Sequence, residues 1–514
     1  MALNLGSILH NSAGDFPDET AVIFNDLRLS YRQLEGLACK FANVLVSMGI
    51  QPGDRVALMM PNVPWFPVCY YGILYAGAQV VPLNILLAGE EVSYQLEDSE
   101  CKTLVAFTGF AESALAGAKR QSETCRHIIG VSPQPGGDLP EPMTDFHALM
   151  NDAAPVFDMV QTMPDDTAVI LYTSGTTGKP KGAELSHFNL YYNAELNSQR
   201  VVSRKDPAHR LQRGEVGLCA LPLFHVFGQT GIMNALFFGG GAITLLPRFT
   251  PADALGIIQR DGVTFFCGVP TMFFALLQYP DRGEYDVSSL KYCIAGGATT
   301  PVEVLKGFQS AFGIPLMEGY GLSETSPTAC LNNLDCDQRA GSIGRPIFGA
   351  EMKIFDENDQ ETPRGEPGEI VVRGHLVMKG YLNKPEATRE AMRGGWLHTG
   401  DIGTQDADGY FFIVDRKKDM INRGGFNVYP REIEEVLYAH PDVAEAAVIA
   451  EPDEKYGEEI KAVLVLKEGV EQNTDALLAY CREHLGGHKY PRLFEFRDTL
   501  PKGPTGKILK RELR

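Results

Sequence analysis

The run Thr173-Ser174-Gly175-Thr176-Thr177-Gly178-Lys179-Pro180-Lys181-Gly182 gathers glycine, hydroxyl and ammonium groups directly after an apolar stretch, residues 168–172. Glycines let the backbone approach a ligand and expose N–H donors; Ser and Thr add hydroxyl donors and the lysines add charge. Such a set is a phosphate cradle. It is not a Walker A loop, which needs four residues between its glycines and a Ser or Thr after the lysine. Here two residues separate Gly175 from Gly178, and Pro180, which has no N–H, follows Lys179 where a Walker helix would have to start. An ADP-forming ATPase of that class is disfavoured. The ten cysteines contain no C-x-x-C pair, so neither a zinc knuckle nor a thioredoxin-like site is expected.

The elements that must hold this loop alternate. Leu34, Leu37, Ala38, Phe41, Leu45 and Met48 follow the spacing of one helix face, with Gly49 near its end. Short apolar runs at 56–60, 104–107, 168–172, 243–246, 265–267 and 292–295 read as buried strands. Strands alternating with helices predict an α/β fold with mostly parallel sheets. From about residue 350 short strands and turns dominate, at 352–355, 369–372 and 410–414, predicting a β-rich subdomain. Beyond a charged run at 415–419 comes an α+β pattern. A helix opens at Pro430, strands follow at 446–449 and 462–466, and a second helix runs near 477–485. The expected organisation is therefore a large N-terminal domain over 1–415, a charged hinge-like run at 416–419 and a small domain over 420–514.

Lys and Arg number 46 and Asp and Glu 65, a net charge of −19 in 514 residues. That balance argues against broad binding of nucleic acid or anionic membrane, and any polyanionic substrate must be met by concentrated local donors. Residues 1–6 lack a basic region, so no secretory signal is expected; scattered thiols suit a reducing, cytoplasmic setting. Residues 216–247 carry no formal charge. They also hold Pro222, His225, Gln229, Asn234 and three consecutive glycines, which suits a buried strand, helix and strand better than a membrane span. The sequence leaves open a homodimer and peripheral contact with a membrane surface.

Residues 172–181 resemble the phosphate loop of the adenylate-forming enzymes: acyl-CoA synthetases, adenylation domains and firefly luciferase. Four further motifs of that family follow in order. They are Tyr320-Gly321-Leu322-Ser323-Glu324-Thr325, then Gly395-Trp396-Leu397-His398-Thr399-Gly400-Asp401, then 415–419 running into Gly424-Gly425-Phe426-Asn427-Val428-Tyr429-Pro430, and last Pro501-Lys502-Gly503-Pro504-Thr505-Gly506-Lys507. The resemblance spans nearly the whole chain and is closest to bacterial fatty acyl-CoA ligases. It implies a two-step reaction using ATP, Mg²⁺ and CoA. A carboxylate attacks the α-phosphate to give acyl-AMP and pyrophosphate; the CoA thiol then displaces AMP.

The resemblance also implies roles. Thr173, Ser174, Gly175, Thr176, Thr177, Gly178 and Lys181 would hold the β- and γ-phosphates, and Glu324 the Mg²⁺ ion. Gly296, Gly297 and Ala298 would border adenine and the acyl group. Tyr320 would stack on adenine beside Gly321, and Ser323 would lie near the α-phosphate. Asp401 would take the ribose hydroxyls, with Arg416 as its basic companion. Lys507 would bridge the carboxylate and the α-phosphate, a task that suits a compact ammonium on a flexible stem. Lys418 would be the hinge of a domain rotation, with Gly424 and Gly425 bordering the pantetheine path. His225 would position or gate the acid. Lys502, Lys510 and Arg511 read as solvated tail residues.

The expected activity is acyl-CoA ligation, with a medium- or long-chain fatty acid as substrate. Phe224, Val226, Phe227, Ile232, Met233, Leu236 and Phe237 would supply an apolar wall, and a pocket gains roughly 0.8 kcal/mol per buried methylene. The same composition suits an aryl acid such as a hydroxycinnamate. A further alternative is an adenylating enzyme that passes its acyl group to a carrier protein or an amine. A non-catalytic protein on this scaffold is disfavoured because Lys507, Glu324 and the loop glycines are all present.

Overall fold

The computed structural model describes residues 2–173, 179–200, 202–203, 205–336, 338–416, 419–424, 426–503 and 506–514. Among them the strands form sheets of thirteen, eight and five strands. In the eight-stranded sheet, strands Gln79–Pro82, Arg55–Met59, Thr103–Phe107 and His127–Val131 are parallel, and Thr167–Thr173 pairs antiparallel with Lys181–Ser186. The thirteen-stranded sheet has a parallel section through Thr20–Phe24, Ala242–Leu245, Val216–Cys219, Phe265–Gly268, Tyr292–Ala295 and Leu316–Gly321. The short apolar runs become buried strands because helices cover both faces.

Helix Tyr31–Ser47 shows how local sequence sets an element. Ser30 accepts the Gln33 N–H and the Gln33 side chain accepts the Ser30 N–H, closing a capping box. Leu34, Ala38, Phe41 and Leu45 are buried along one stripe. The charge-free segment 216–247 folds as strand, helix and strand, with a π-helical stretch Phe227–Asn234 running into Ala235–Gly239. One apolar cluster takes in Val22, Leu218 and Ile243 from one sheet and Val56, Val80 and Val169 from the other. The two large sheets thus share a core.

The antiparallel strands extend the large sheet rather than standing apart from it. Thr328–Leu331 pairs antiparallel with Leu316–Gly321, and Ser342–Pro346, Phe411–Arg416, Leu397–Gln405, Gly368–Gly374 and Ala350–Phe355 continue outward. The change of direction therefore begins at Thr328. The remaining sheet comprises Ile421–Arg423, Phe426–Val428, Val443–Asp453, Gly457–Leu466 and Leu493–Phe496. It packs with helices Pro430–Tyr438 and Thr474–His484 around its own core of Ile421, Ile433, Leu437, Val448, Leu464 and Leu477. No helix among the described residues is long and apolar enough to cross a membrane.

The tail corrects one expectation. Arg511 is exposed, and so is Lys502, which pairs with Glu445 at 2.5 Å, but Lys510 is half-buried and lies 2.7 Å from Glu434. Burial works against the Lys510 charge, yet Glu434 and Asp415 more than offset it, so its pKa is raised. Arg514 meets Asp419 at 2.8 Å. Lys510→Met is expected to cost about 1–3 kcal/mol locally, because it leaves the buried Asp415 and the half-buried Glu434 carboxylates without their cation. Hydrogen exchange of helix Pro430–Tyr438 measures this; unchanged protection would refute it.

Candidate functional site

Thr173 and Lys181 are register partners at the open end of an antiparallel pair, so residues 174–178 join two paired strands. Ser174, Gly175, Thr176, Thr177 and Gly178 lie outside the described residues. Pro180 is fixed through its carbonyl, which accepts the Tyr94 hydroxyl at 2.9 Å, and Lys179 Nζ lies 4.9 Å from the centre of the Tyr94 ring. Lys181 Nζ sits 5.0 Å from the centre of the Tyr381 ring, and the Tyr381 hydroxyl donates to Glu324 Oε1 at 2.8 Å. Burial first, and the Glu324 charge second, hold the Tyr381 phenol protonated. Tyr381 thereby joins the loop lysine to the carboxylate expected to hold Mg²⁺. Glu324 lies in the turn Ser323–Thr325, and its carbonyl accepts the Met378 N–H at 2.9 Å. One carboxylate linked through Tyr381 to Lys181 fits Mg²⁺, which is held by few protein oxygens together with substrate phosphates.

A second group forms where the sheet changes direction. Tyr320, in the last parallel strand, donates its hydroxyl to Asp401 Oδ2 at 2.6 Å. Asp401, in Leu397–Gln405, is the register partner of Arg416, whose Nε lies 3.3 Å from Asp401 Oδ1. Two residues thus converge on one buried carboxylate, Arg416 from the neighbouring strand and Tyr320 from a strand separated from it by three others in the same sheet. Gly296, Gly297 and Ala298 follow the end of strand Tyr292–Ala295. A Cβ on Gly296 would come 2.9 Å from the Phe227 ring, so this turn abuts the apolar segment. Of the residues read as an apolar wall, Phe224, Val226, Ile232, Met233, Leu236 and Phe237 are buried in the main core. Phe227 is half-buried, its ring against Gly231 and Gly296.

His225 lies two residues before Phe227, whose N–H donates to its Nδ1 at 3.4 Å. Burial first, and the nearby Lys507 charge second, push its imidazole down to about 4, so the ring is neutral at pH 7. The Lys507 charge is thus felt at His225 although Lys507 stands at the far end of the chain. Its loop is closed by Gly503 N–H donating to the Lys507 carbonyl at 2.8 Å. The loop is seated on the N-terminal region by Thr271 Oγ1, which donates to the Gly506 carbonyl at 3.2 Å. At Gly506, φ is +79° and an added Cβ would come 3.0 Å from Thr271 Oγ1 and Val269 Cγ2, so only glycine fits.

Gly424 is placed elsewhere. Its N–H donates to the Tyr456 carbonyl at 2.8 Å, and the described atoms that a Cβ there would meet belong to Tyr456. Lys418 and Gly425 lie outside the described residues.

Sequence reasoning missed two residues of the site. Tyr381 belongs to a two-residue strand, too short for any periodicity. Glu318 is 2 % exposed and accepts the Thr300 N–H at 2.8 Å through Oε1. Burial raises its carboxyl to about 7, against the pull of Arg431. The period-two rule places Glu318 beside Tyr320 on one strand face, a signal that was available.

The family profile described as AMP-binding enzyme matches residues 9–382, and that of the AMP-binding enzyme C-terminal domain matches 432–507. The chain is 40% identical to a long-chain-fatty-acid–CoA ligase of Bacillus subtilis, across 99% of this chain and 94% of that one. It is 38% identical to a feruloyl-CoA synthase of an Amycolatopsis species, across 99% and 98%. Its fold matches that of an anthranilate CoA ligase solved with anthranoyl-AMP, with a TM-score of 0.92 at 28% identity, covering 100% and 97% of the two chains. The chain belongs to the AMP-binding enzymes, and within them to the AMP-forming acid–thiol ligases, which join a carboxylic acid to CoA with ATP.

Proposed function

We propose that this ligase activates a medium- or long-chain fatty acid in the cytoplasm, a setting that ten free thiols support. The observation that carries the assignment of roles is the seating of the Lys507 loop on the N-terminal region, where the Gly506 carbonyl accepts the Thr271 hydroxyl at 3.2 Å and the Lys507 charge is felt at a neutral His225. A carboxylate oxygen of the acid attacks the α-phosphorus of ATP and pyrophosphate leaves. Lys507 bridges the carboxylate and the α-phosphate, offsetting the charge crowded between them. A neutral His225 adds no competing cation and positions the acid. Thr173, Lys181 and the loop between them hold the leaving phosphates. Ser323 lies at the α-phosphate. Tyr320 with Gly321, Asp401 and Arg416 hold the nucleoside. Mg²⁺, bound at Glu324 and by the phosphates, would supply charge neutralisation there.

In the second step the CoA sulfur attacks the acyl carbon, the thiol proton is lost and AMP departs. The C-terminal domain, 420–514, turns about a 416–419 hinge centred on Lys418. Lys507 withdraws, and Gly424 and Gly425 come to border the pantetheine arm, with two small residues leaving room for a thin chain. The second reading is an aryl acid, favoured by the Phe227 ring against the turn and by the likeness to a feruloyl-CoA synthase.

Mass spectrometry of one incubation tests both. The mixture holds the protein, ATP, Mg²⁺, CoA and an equimolar panel of fatty, aromatic and dicarboxylic acids. Fatty acyl-CoA with AMP is the expected result. Aryl-CoA as the dominant product would install the second reading, and acyl-AMP without thioester would move the acceptor from CoA to a carrier protein or amine.

A further inference from the structure

Helix Val302–Phe312 begins six residues after Gly296, and its own sequence gives it no capping side chain. The N-cap position is Pro301, which has neither hydroxyl nor carboxylate. A helix start leaves backbone N–H groups without partners and carries a partial positive charge. Here the missing acceptor comes from another element. Glu435, on helix Pro430–Tyr438 in the C-terminal region, accepts the Val302 N–H through Oε2 at 3.3 Å. Its other oxygen lies 3.8 Å from Arg431 Nε, one turn earlier on the same helix. Two residues earlier, Thr300 N–H donates to buried Glu318 of the large sheet. Residues 296–302 are therefore gripped once from the large sheet and once from the C-terminal region.

The second grip is coupled to the Lys507 loop. Thr271, which seats Gly506, stands at the start of helix Pro270–Gln278. That helix packs on Val302–Phe312 through Phe273 and Phe308, whose ring centres are 5.2 Å apart. Two docking points of the C-terminal region thus fall on the first turns of a packed helix pair.

We propose that Glu435 is a positioning residue for adenylation: it caps helix Val302–Phe312 from the C-terminal region, and so fixes the Gly296–Ala298 turn and the Lys507 loop together. The inference rests on the two-step reading above. It predicts an asymmetry between the half-reactions, because the cap exists only while Lys507 is docked.

The test compares Glu435→Ala and Glu435→Gln with the parent in three measurements. These are acid-dependent ATP–pyrophosphate exchange, thioester formation from synthetic acyl-AMP and CoA, and hydrogen exchange of the peptide covering 296–304. Glu435→Ala is expected to slow adenylation about five- to tenfold in kcat. KM for the acid should move less, thioester formation should persist, and exchange at the start of the helix should rise. Glu435→Gln keeps an oxygen acceptor and should recover most of the rate. An equal loss in both half-reactions, or Glu435→Gln failing as badly as Ala, would overturn the positioning role. Unchanged hydrogen exchange would overturn the cap itself, whatever the activities are. A parent protein that performs neither half-reaction would instead refute the two-step reading, and exchange would still decide the contact.

Discussion

Lys507→Met should lower acyl-adenylate formation by about 10³-fold, the upper end of what removing one preorganised charge at a reacting centre costs. Thioester formation from supplied acyl-AMP should change little, because that step places no new charge where the ammonium sits. Methionine keeps much of the lysine stem. The loop should stay seated, since it is held through backbone groups, the Gly506 carbonyl on Thr271 and the Lys507 carbonyl on Gly503 N–H. The same substitution should raise the His225 pKa, because the Lys507 charge is one of the two influences that hold it down to about 4. Burial remains, so the ring still titrates below its ordinary value. Pyrophosphate exchange reads the first effect and an NMR titration of the imidazole the second. Equal losses in both half-reactions would remove Lys507 from its assigned role.

Gly321→Ala should be the most damaging methyl group in the site. A Cβ there would lie 1.7 Å from the Pro327 carbonyl oxygen and 2.7 Å from its carbon. Both are backbone atoms and cannot swing aside. The strands must part at the point where their register already shifts, between Tyr320 and Gly321. That moves Tyr320 off Asp401 and displaces Ser323 and Glu324. The expected cost is about 3 kcal/mol or more of local stability, together with loss of measurable ATP binding. Calorimetric titration with ATP and thermal unfolding check it. Gly283→Ala is the control: nothing stands within 4 Å of a Cβ there, so it should stay within about 0.5 kcal/mol of the parent. If both variants bind ATP like the parent, the close approach at Gly321 is not what holds the nucleoside group together.

The parallel core was legible because each apolar run carries its own signal. Residues 104–107 and 292–295 are short, uncharged and bounded by polar turns, and they fold as the strands Thr103–Phe107 and Tyr292–Ala295. Groups made by long-range pairing were legible only through resemblance. Nothing local in Asp401 announces that Tyr320 and Arg416 will meet on it; strand register brings Arg416 there, and a hydroxyl reaching from a strand with three others between brings Tyr320. Tyr381, Thr271 and Glu435 carried no signal at all. Each acts through contacts that span more than fifty residues. Lys510 was misread for the converse reason. A lysine close to the end of a chain looks like solvated decoration until the fold wraps Glu434 and Asp415 around it.

That wrapping has a mechanical consequence. Lys510 follows Lys507 by three residues and is bound to Glu434, with Asp415 and Asp419 close by, while Arg514 holds Asp419. The strand end that leads into the proposed pivot and the tail that follows Lys507 are thus tied into one knot of charge. In the proposed rotation Lys507 is the tip of a short, stiff lever rather than the end of a tether. Its entry and departure keep time with the turning of the whole body, with no separate loop search at each cycle.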